Sequence, residues 1–140
     1  MPSRIFFVDD SPREREDVAR DIADFLPGGA EVVTEGEVGM AIIRFRQLMG
    51  IDEGATGGAG LHAAILDFQL DRLTSMPLFR QMLALAPEFA RTRVALRTSL
   101  SEEQVRSRFA ENELEFPSKY LSKGHLIDLI NWLKGLPEGE

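Results

Sequence analysis

Hydrophobic positions along the chain fall into two alternating kinds of segment. Residues 5–8, 63–66 and 94–96 are apolar at every position, the pattern of strands covered on both faces. Between them, apolar residues return at three- and four-residue spacing, which marks amphipathic helices. Residues 4–8 predict a first strand that stops at Asp9-Asp10. Ser11, Pro12 and Glu14 then predict a helix start, with Ser as N-cap, Pro at the first helical position and Glu completing a capping box. Val18, Ile22, Phe25 and Leu26 form its stripe, and Pro27-Gly28-Gly29 ends it. Residues 30–34 predict a second strand. Val38, Ala41, Ile42, Phe45 and Leu48 predict a second helix running to about Met49.

The second half repeats this alternation. Residues 63–66 predict a third strand ending at Asp67, residues 68–75 a loop, and Leu78, Met82 and Leu85 a helix closed before Pro87. Residues 93–96 predict a fourth strand. Either Ser99 with Glu102 or Ser101 with Gln104 caps a fourth helix, whose inner face carries Val105 and Phe109. Residues 119–122 predict a short fifth strand. Leu126, Leu129, Ile130 and Leu133 give the stripe of a last helix. Five glycines among residues 50–60, without apolar periodicity, predict a long mobile loop. Five such strand–helix units predict an α/β fold with a parallel sheet and helices on both faces, joined by right-handed crossovers.

Composition narrows the function. With 16 Lys and Arg against 23 Asp and Glu, the 140-residue chain has a formal charge of -7, which disfavours a basic nucleic-acid module or attraction to an anionic membrane. No cysteine is present, so thiolate metal sites, iron–sulfur clusters and Cys nucleophiles are excluded. The N-terminal apolar run is too short for a signal peptide or a membrane span, so a single cytoplasmic domain is expected. His62 and His125 lack a partner at metal-ligand spacing. Arg13, Arg15 and Arg20, interleaved with acids, predict a solvated helix face with local ion pairs.

In such a sheet the ligand site lies beyond the C-terminal strand ends, where Asp9, Asp10, Asp67, Thr98 and Lys123 gather. Three converging carboxylates raise one another's pKa unless a cation neutralises them. Mg2+ suits them, since it takes oxygen ligands and commonly only one or two protein carboxylates. Lys123 lies near a helix start, against the dipole, which calls for a nearby anion. Thr98 and Lys123 supply a hydrogen-bond donor and a positive charge for phosphoryl oxygens.

The strings IFFVDDSP at 5–12, AAILDFQL at 63–70, VALRTS at 94–99 and YLSK at 120–123 resemble, in this order, the receiver domains of two-component response regulators. The resemblance spans residues 5–136. It implies a flavodoxin-like (CheY-like) doubly wound sheet of strand order 2-1-3-4-5, counted along the chain, in one receiver domain with a core at 4–136 and no output domain. It implies Asp67 as phosphoacceptor, Asp10 as a direct metal ligand and Asp9 as an acid acting largely through water. It implies that the backbone carbonyl of Gln69 completes the metal shell, for Mg2+ or alternatively Mn2+. The resemblance also implies Thr98 as the hydroxyl that closes on the phosphoryl group, Lys123 as its ion-pair partner and Tyr120 as the aromatic switch. The implied partners are a sensor histidine kinase or histidine phosphotransfer protein and a downstream protein bound by the helix 4–strand 5–helix 5 face, with a homodimer also compatible.

The sequence departs from that pattern at several points. The family's lysine usually precedes a proline, often through a cis bond, whereas Lys123 precedes Gly124; a non-proline cis bond costs roughly 2.5–4 kcal/mol, so a trans bond is expected. Asp71 and Arg72 add charge beside the site. Arg97 stands where an apolar residue is usual, either as an extra anion-binding group or pointing outward. Residues 50–60 and 111–118 are longer than the family's usual connections. The Gly124 and Asp71 departures support one rival, a pseudo-receiver that binds protein without being phosphorylated. A second rival, a small phosphohydrolase, is weakened by the lack of an evident cap or base.

Overall fold

A computed structural model describes residues 3–53 and 60–137. Seven strands and six α-helices follow in the order β1 (Ser3–Val8), α1 (Pro12–Phe25), β2 (Ala30–Glu35), α2 (Val38–Met49), β3 (Ala63–Asp67), β4 (Gln69–Leu70), β5 (Leu73–Thr74), α3 (Met76–Leu85), α4 (Pro87–Thr92), β6 (Val94–Thr98), α5 (Glu102–Glu111), β7 (Lys119–Ser122) and α6 (Leu126–Gly135). Five strands form one parallel sheet, ordered β2-β1-β3-β6-β7. This is the predicted 2-1-3-4-5 order.

The unalternating strands are explained by two cores. Phe6, Val8, Ala64, Leu66, Val94 and Leu96 face α2, α3, α4 and α5. Ile5, Phe7, Ala63, Ile65 and Ala95 face α1 and α6. Because side chains alternate across a strand, only a sheet covered on both sides demands an apolar residue at every position. Full burial stabilises each large apolar side chain by roughly 1.5–3 kcal/mol, whereas an exposed ion pair such as Arg20–Asp17 contributes about 0–1 kcal/mol. Core packing therefore dominates the stability.

The helix ends refine the sequence reading. Ser101 and Gln104, not Ser99 and Glu102, form the capping box of α5. At α1 the box is only half made: Ser11 Oγ accepts from the Glu14 N–H, but the Ser11 N–H donates to Asp9 Oδ1, and the Glu14 carboxylate turns instead to Arg97. Phe25 is exposed at the end of α1, and Leu26 takes the buried place. Gly50 closes α2 in the left-handed conformation, φ 66°.

Three segments differ from expectation. Residues 68–75 hold the two-stranded β4–β5 hairpin rather than plain loop. Pro87 starts α4 rather than only ending α3; the 6 residues of α4 are too few to display a helical period. The fourth strand of the chain's main sheet runs over 94–98 instead of 93–96. The predicted loop at 50–60 lies largely outside the described residues, and its beginning forms a 3-10 turn at Ile51–Glu53.

Candidate functional site

Strand register builds the floor of the site. Val8 lies beside Leu66, and Asp67 beside Arg97, so Asp9, Asp67 and Arg97 come from one row across three adjacent strands. By the two-residue alternation all three project from the face covered by α1 and α6. Asp9 is fully buried, and Asp67 and Arg97 nearly so. Asp10, one residue further along, is exposed. One carboxylate oxygen from each of Asp9, Asp10 and Asp67 lies within 4.8 Å of the others.

Each carboxylate is held differently. Asp9 Oδ1 accepts from the Ser11 N–H at 2.9 Å. Its Oδ2 is buried without a hydrogen bond and faces Arg97 Nη1 at 3.6 Å and Lys123 Nζ at 3.9 Å. Asp67 Oδ2 accepts from Lys123 Nζ at 3.2 Å. Asp10 Oδ2 accepts from the Asp71 N–H at 2.8 Å. Asp71 therefore acts through its main chain, which turns the hairpin with φ 59°, while its own side chain and that of Arg72 are exposed.

Burial dominates the electrostatics. It pushes Asp67 up to about 6, with Asp9 adding repulsion and Lys123 only partly offsetting both. Asp9 is also raised, again chiefly by burial, against the Ser11 N–H, Lys123 and Arg97. The orphaned Asp9 oxygen and the all-oxygen donor set fit a hard divalent cation, which would relieve this repulsion. Asp9, Asp10 and Asp67 are the side chains that would hold it.

The remaining predicted residues surround this cluster. Thr98 ends β6, nearly fully buried, and its Oγ1 accepts from the Leu100 N–H at 3.2 Å. The Lys123 N–H donates to the Thr98 carbonyl at 3.0 Å, so main-chain bonding couples these two positions. Tyr120 packs against the α2–α5 core and donates its hydroxyl to the Leu100 carbonyl. The loop after Thr98 thus meets both the threonine and the tyrosine. Gln69 opens the hairpin with an exposed side chain.

Two contributors were not evident from spacing alone. Arg97 turns inward, stacked 5.9 Å over the Phe7 ring, with Nη2 3.4 Å from Glu14 Oε2. Strand parity, counting Arg97 in step with Asp67, contains that signal. Arg15 leaves the solvated face assigned to it and donates Nη1 to the Asp9 carbonyl at 2.7 Å. Gly36 makes room for it, since a β-carbon there would stand 2.2 Å from Arg15 Nη1. His62 Nε2 lies 3.1 Å from the Leu133 carbonyl, away from the carboxylate cluster.

No family model matches the chain, and no curated protein matches its sequence. Solved structures do. A CheY-like response regulator receiver domain protein from Methanospirillum hungatei superposes with TM-score 0.67 at 18% identity, over 96% of this chain and 92% of that one. A LuxR-family two-component response regulator from Aurantimonas sp. gives TM-score 0.68 at 20% identity, over 94% and 81%. The Mn(2+)-bound form of response regulator Rcp1 gives 0.61 at 20% identity, over 98% and 100%. The chain has the receiver fold.

Within this receiver fold, the glycine after Lys123 has a conformational reason. The described residues contain no cis peptide bond, and Gly124 has φ 88°, a region closed to proline, whose ring fixes φ near -65°. A β-carbon there would meet nothing within 4 Å, so backbone conformation alone is the constraint. Gly124→Ala is expected to lower unfolding free energy by about 1 kcal/mol through the left-handed penalty. Urea denaturation measures it, and an unchanged midpoint would show that the turn relaxes freely.

Proposed function

We propose that this chain is a response regulator receiver that accepts a phosphoryl group on Asp67 from a phosphohistidine donor and thereby alters a protein-binding surface. The observation that carries this reading is the meeting of Asp67, Lys123 and two further carboxylates at the C-terminal edge of a receiver-fold sheet. An Asp67 carboxylate oxygen attacks phosphorus in line, the P–N bond to the donor imidazole breaks, and the imidazole leaves with its electron pair and takes up a proton. Lys123 shares the charge of the transferring group and holds Asp67 in position. Bound Mg2+, or Mn2+, would supply further charge neutralisation, with Asp10 as a direct ligand, Asp9 largely through water, and Gln69 contributing its main-chain carbonyl.

Thr98 would close on the new phosphoryl oxygens. Its loop also carries the Leu100 carbonyl that receives Tyr120, so movement there reaches the switch aromatic. The output surface would be α5–β7–α6, where Ile127 is 75% exposed and offers apolar contact to a downstream protein. A histidine kinase or histidine phosphotransfer protein would be the donor, in the cytoplasm. No helix among the described residues is long and apolar enough to cross a membrane.

Intact mass spectrometry after incubation with Mg2+ and acetyl phosphate tests the proposal. One phosphoryl adduct is expected on the wild type and none on Asp67→Asn. A second reading, a protein-binding module that is not phosphorylated, draws on the guanidinium of Arg97 beside Asp9. Failure of the wild type to form an adduct at any Mg2+ concentration would favour that module.

A further inference from the structure

Arg97 carries a fixed charge in an unusual position. A guanidinium stays protonated in proteins, and this one belongs to a side chain that is only 11% exposed. Its Nη1 has no hydrogen-bond partner, and neither does Asp9 Oδ2, which it faces across 3.6 Å. On its other side, Nη2 lies 3.4 Å from Glu14 Oε2. Charge-assisted bonds close to about 2.7–2.9 Å when fully made, so the guanidinium makes one long hydrogen bond to Glu14 and faces Asp9 without one. Phe7 supports it from below. Glu14 is available because it has left the α1 capping box.

We propose that Arg97 is a resident counter-cation of Asp9 that weakens divalent-metal binding in this pocket, with Glu14 as the outer anchor toward which it withdraws when metal binds. This rests on the reading that Asp9, Asp10 and Asp67 receive a divalent cation. Without metal, Arg97 and Lys123 together offset part of the cost of the buried Asp9 charge. A divalent ion arriving at Asp9 meets a positive charge that cannot be titrated away, and must coexist with it or displace it toward Glu14. The pocket consequently tolerates the metal-free state better, and binds metal less tightly, than the same carboxylates lined by an apolar residue.

Isothermal titration with MgCl2 alone and MnCl2 alone measures the effect directly. Arg97→Met, which keeps an unbranched apolar stem over Phe7, is expected to bind either ion about tenfold or more tightly than wild type, from loss of a like charge at short range. Its melting temperature should also rise further on adding Mg2+ than the wild type's, because tighter ligation stabilises the folded state more. Arg13→Met removes the same charge from a side chain that is 91% exposed. It should change affinity by less than about twofold, since solvent screens it.

Glu14→Gln provides a variant of opposite sign: Arg97 loses its outer anchor, and metal binding should weaken several-fold more than in the exposed control Glu16→Gln. An unchanged or weaker affinity in a folded Arg97→Met, or equal effects of Arg97→Met and Arg13→Met, overturns the inference while leaving phosphoacceptance standing. If Arg97→Met does not fold, Glu14→Gln decides, and equality with Glu16→Gln overturns it. Absence of Mg2+ and Mn2+ binding in both wild type and Arg97→Met overturns this inference and the metal-dependent reading together.

Discussion

Phe109→Ala is expected to cost the fold about 3–5 kcal/mol, the range for emptying a packed phenylalanine site. Phe109 on α5 is 1% exposed. Its ring centroid lies 5.1 Å from Phe116, 6.0 Å from Phe68 and 6.1 Å from Phe79. It thereby joins α5 to the segment before β7, to α3, and to the residue directly after Asp67. Phe68 cannot sink into the vacated space freely, because its N–H donates to the Arg97 carbonyl and its own carbonyl accepts from the Ser75 N–H. The cavity should therefore persist rather than collapse. Guanidinium denaturation checks the loss, with Phe109→Leu retaining most of the stability because it conserves more volume. A loss below about 1 kcal/mol in the alanine variant would mean that the aromatic cluster is not a stabilising hub.

The second large effect has the opposite sign. In a chelating buffer at neutral pH, Asp67→Asn is expected to stabilise the protein by about 2 kcal/mol, after discounting the linkage energy for solvent screening. The folded carboxyl, pushed up to about 6 by burial and then by Asp9, compares with 3.8 unfolded. Between these values the folded state binds more protons than the unfolded state, so wild-type unfolding free energy falls as pH rises. Below 3.8 both states are protonated and the penalty vanishes; above about 6 it is complete. Asp9 is raised in the same direction, so the variant should flatten this slope without abolishing it. Urea melts across the interval measure both, and parallel pH profiles for the two proteins would contradict the electrostatic account.

Much of the scaffold was legible in the sequence because a doubly covered sheet leaves a clear signature. Runs such as residues 5–8 and 63–66 have no polar face to hide, and their order along the chain matches the order of β1 and β3. Asp9, Asp10 and Asp67 were legible as a group because each lies at or just beyond the end of a strand on the same edge. What escaped were features made by short segments or by contacts across the chain. The β4–β5 hairpin uses Asp71, not glycine, at positive φ, so no turn residue announced it. Glu14 matched a local capping pattern, but Arg97, distant in sequence, competed for its carboxylate and prevailed. Arg15 matched a solvated face, yet Gly36 opened a place for it beside the Asp9 carbonyl.

The row formed by Asp9, Asp67 and Arg97 gives the pocket walls of unequal stiffness. Adjacent strands are fixed at about 4.8 Å by their ladder of hydrogen bonds, so these three anchor points resist any change in spacing. Lys123 instead hangs just before a glycine turn, and Asp10 is tied through one N–H to the tip of a two-residue hairpin. Whatever volume or charge enters the pocket, the sheet backbone acts as the anvil, and the Lys123 and Asp10 segments, with the Arg97 side chain, supply the travel.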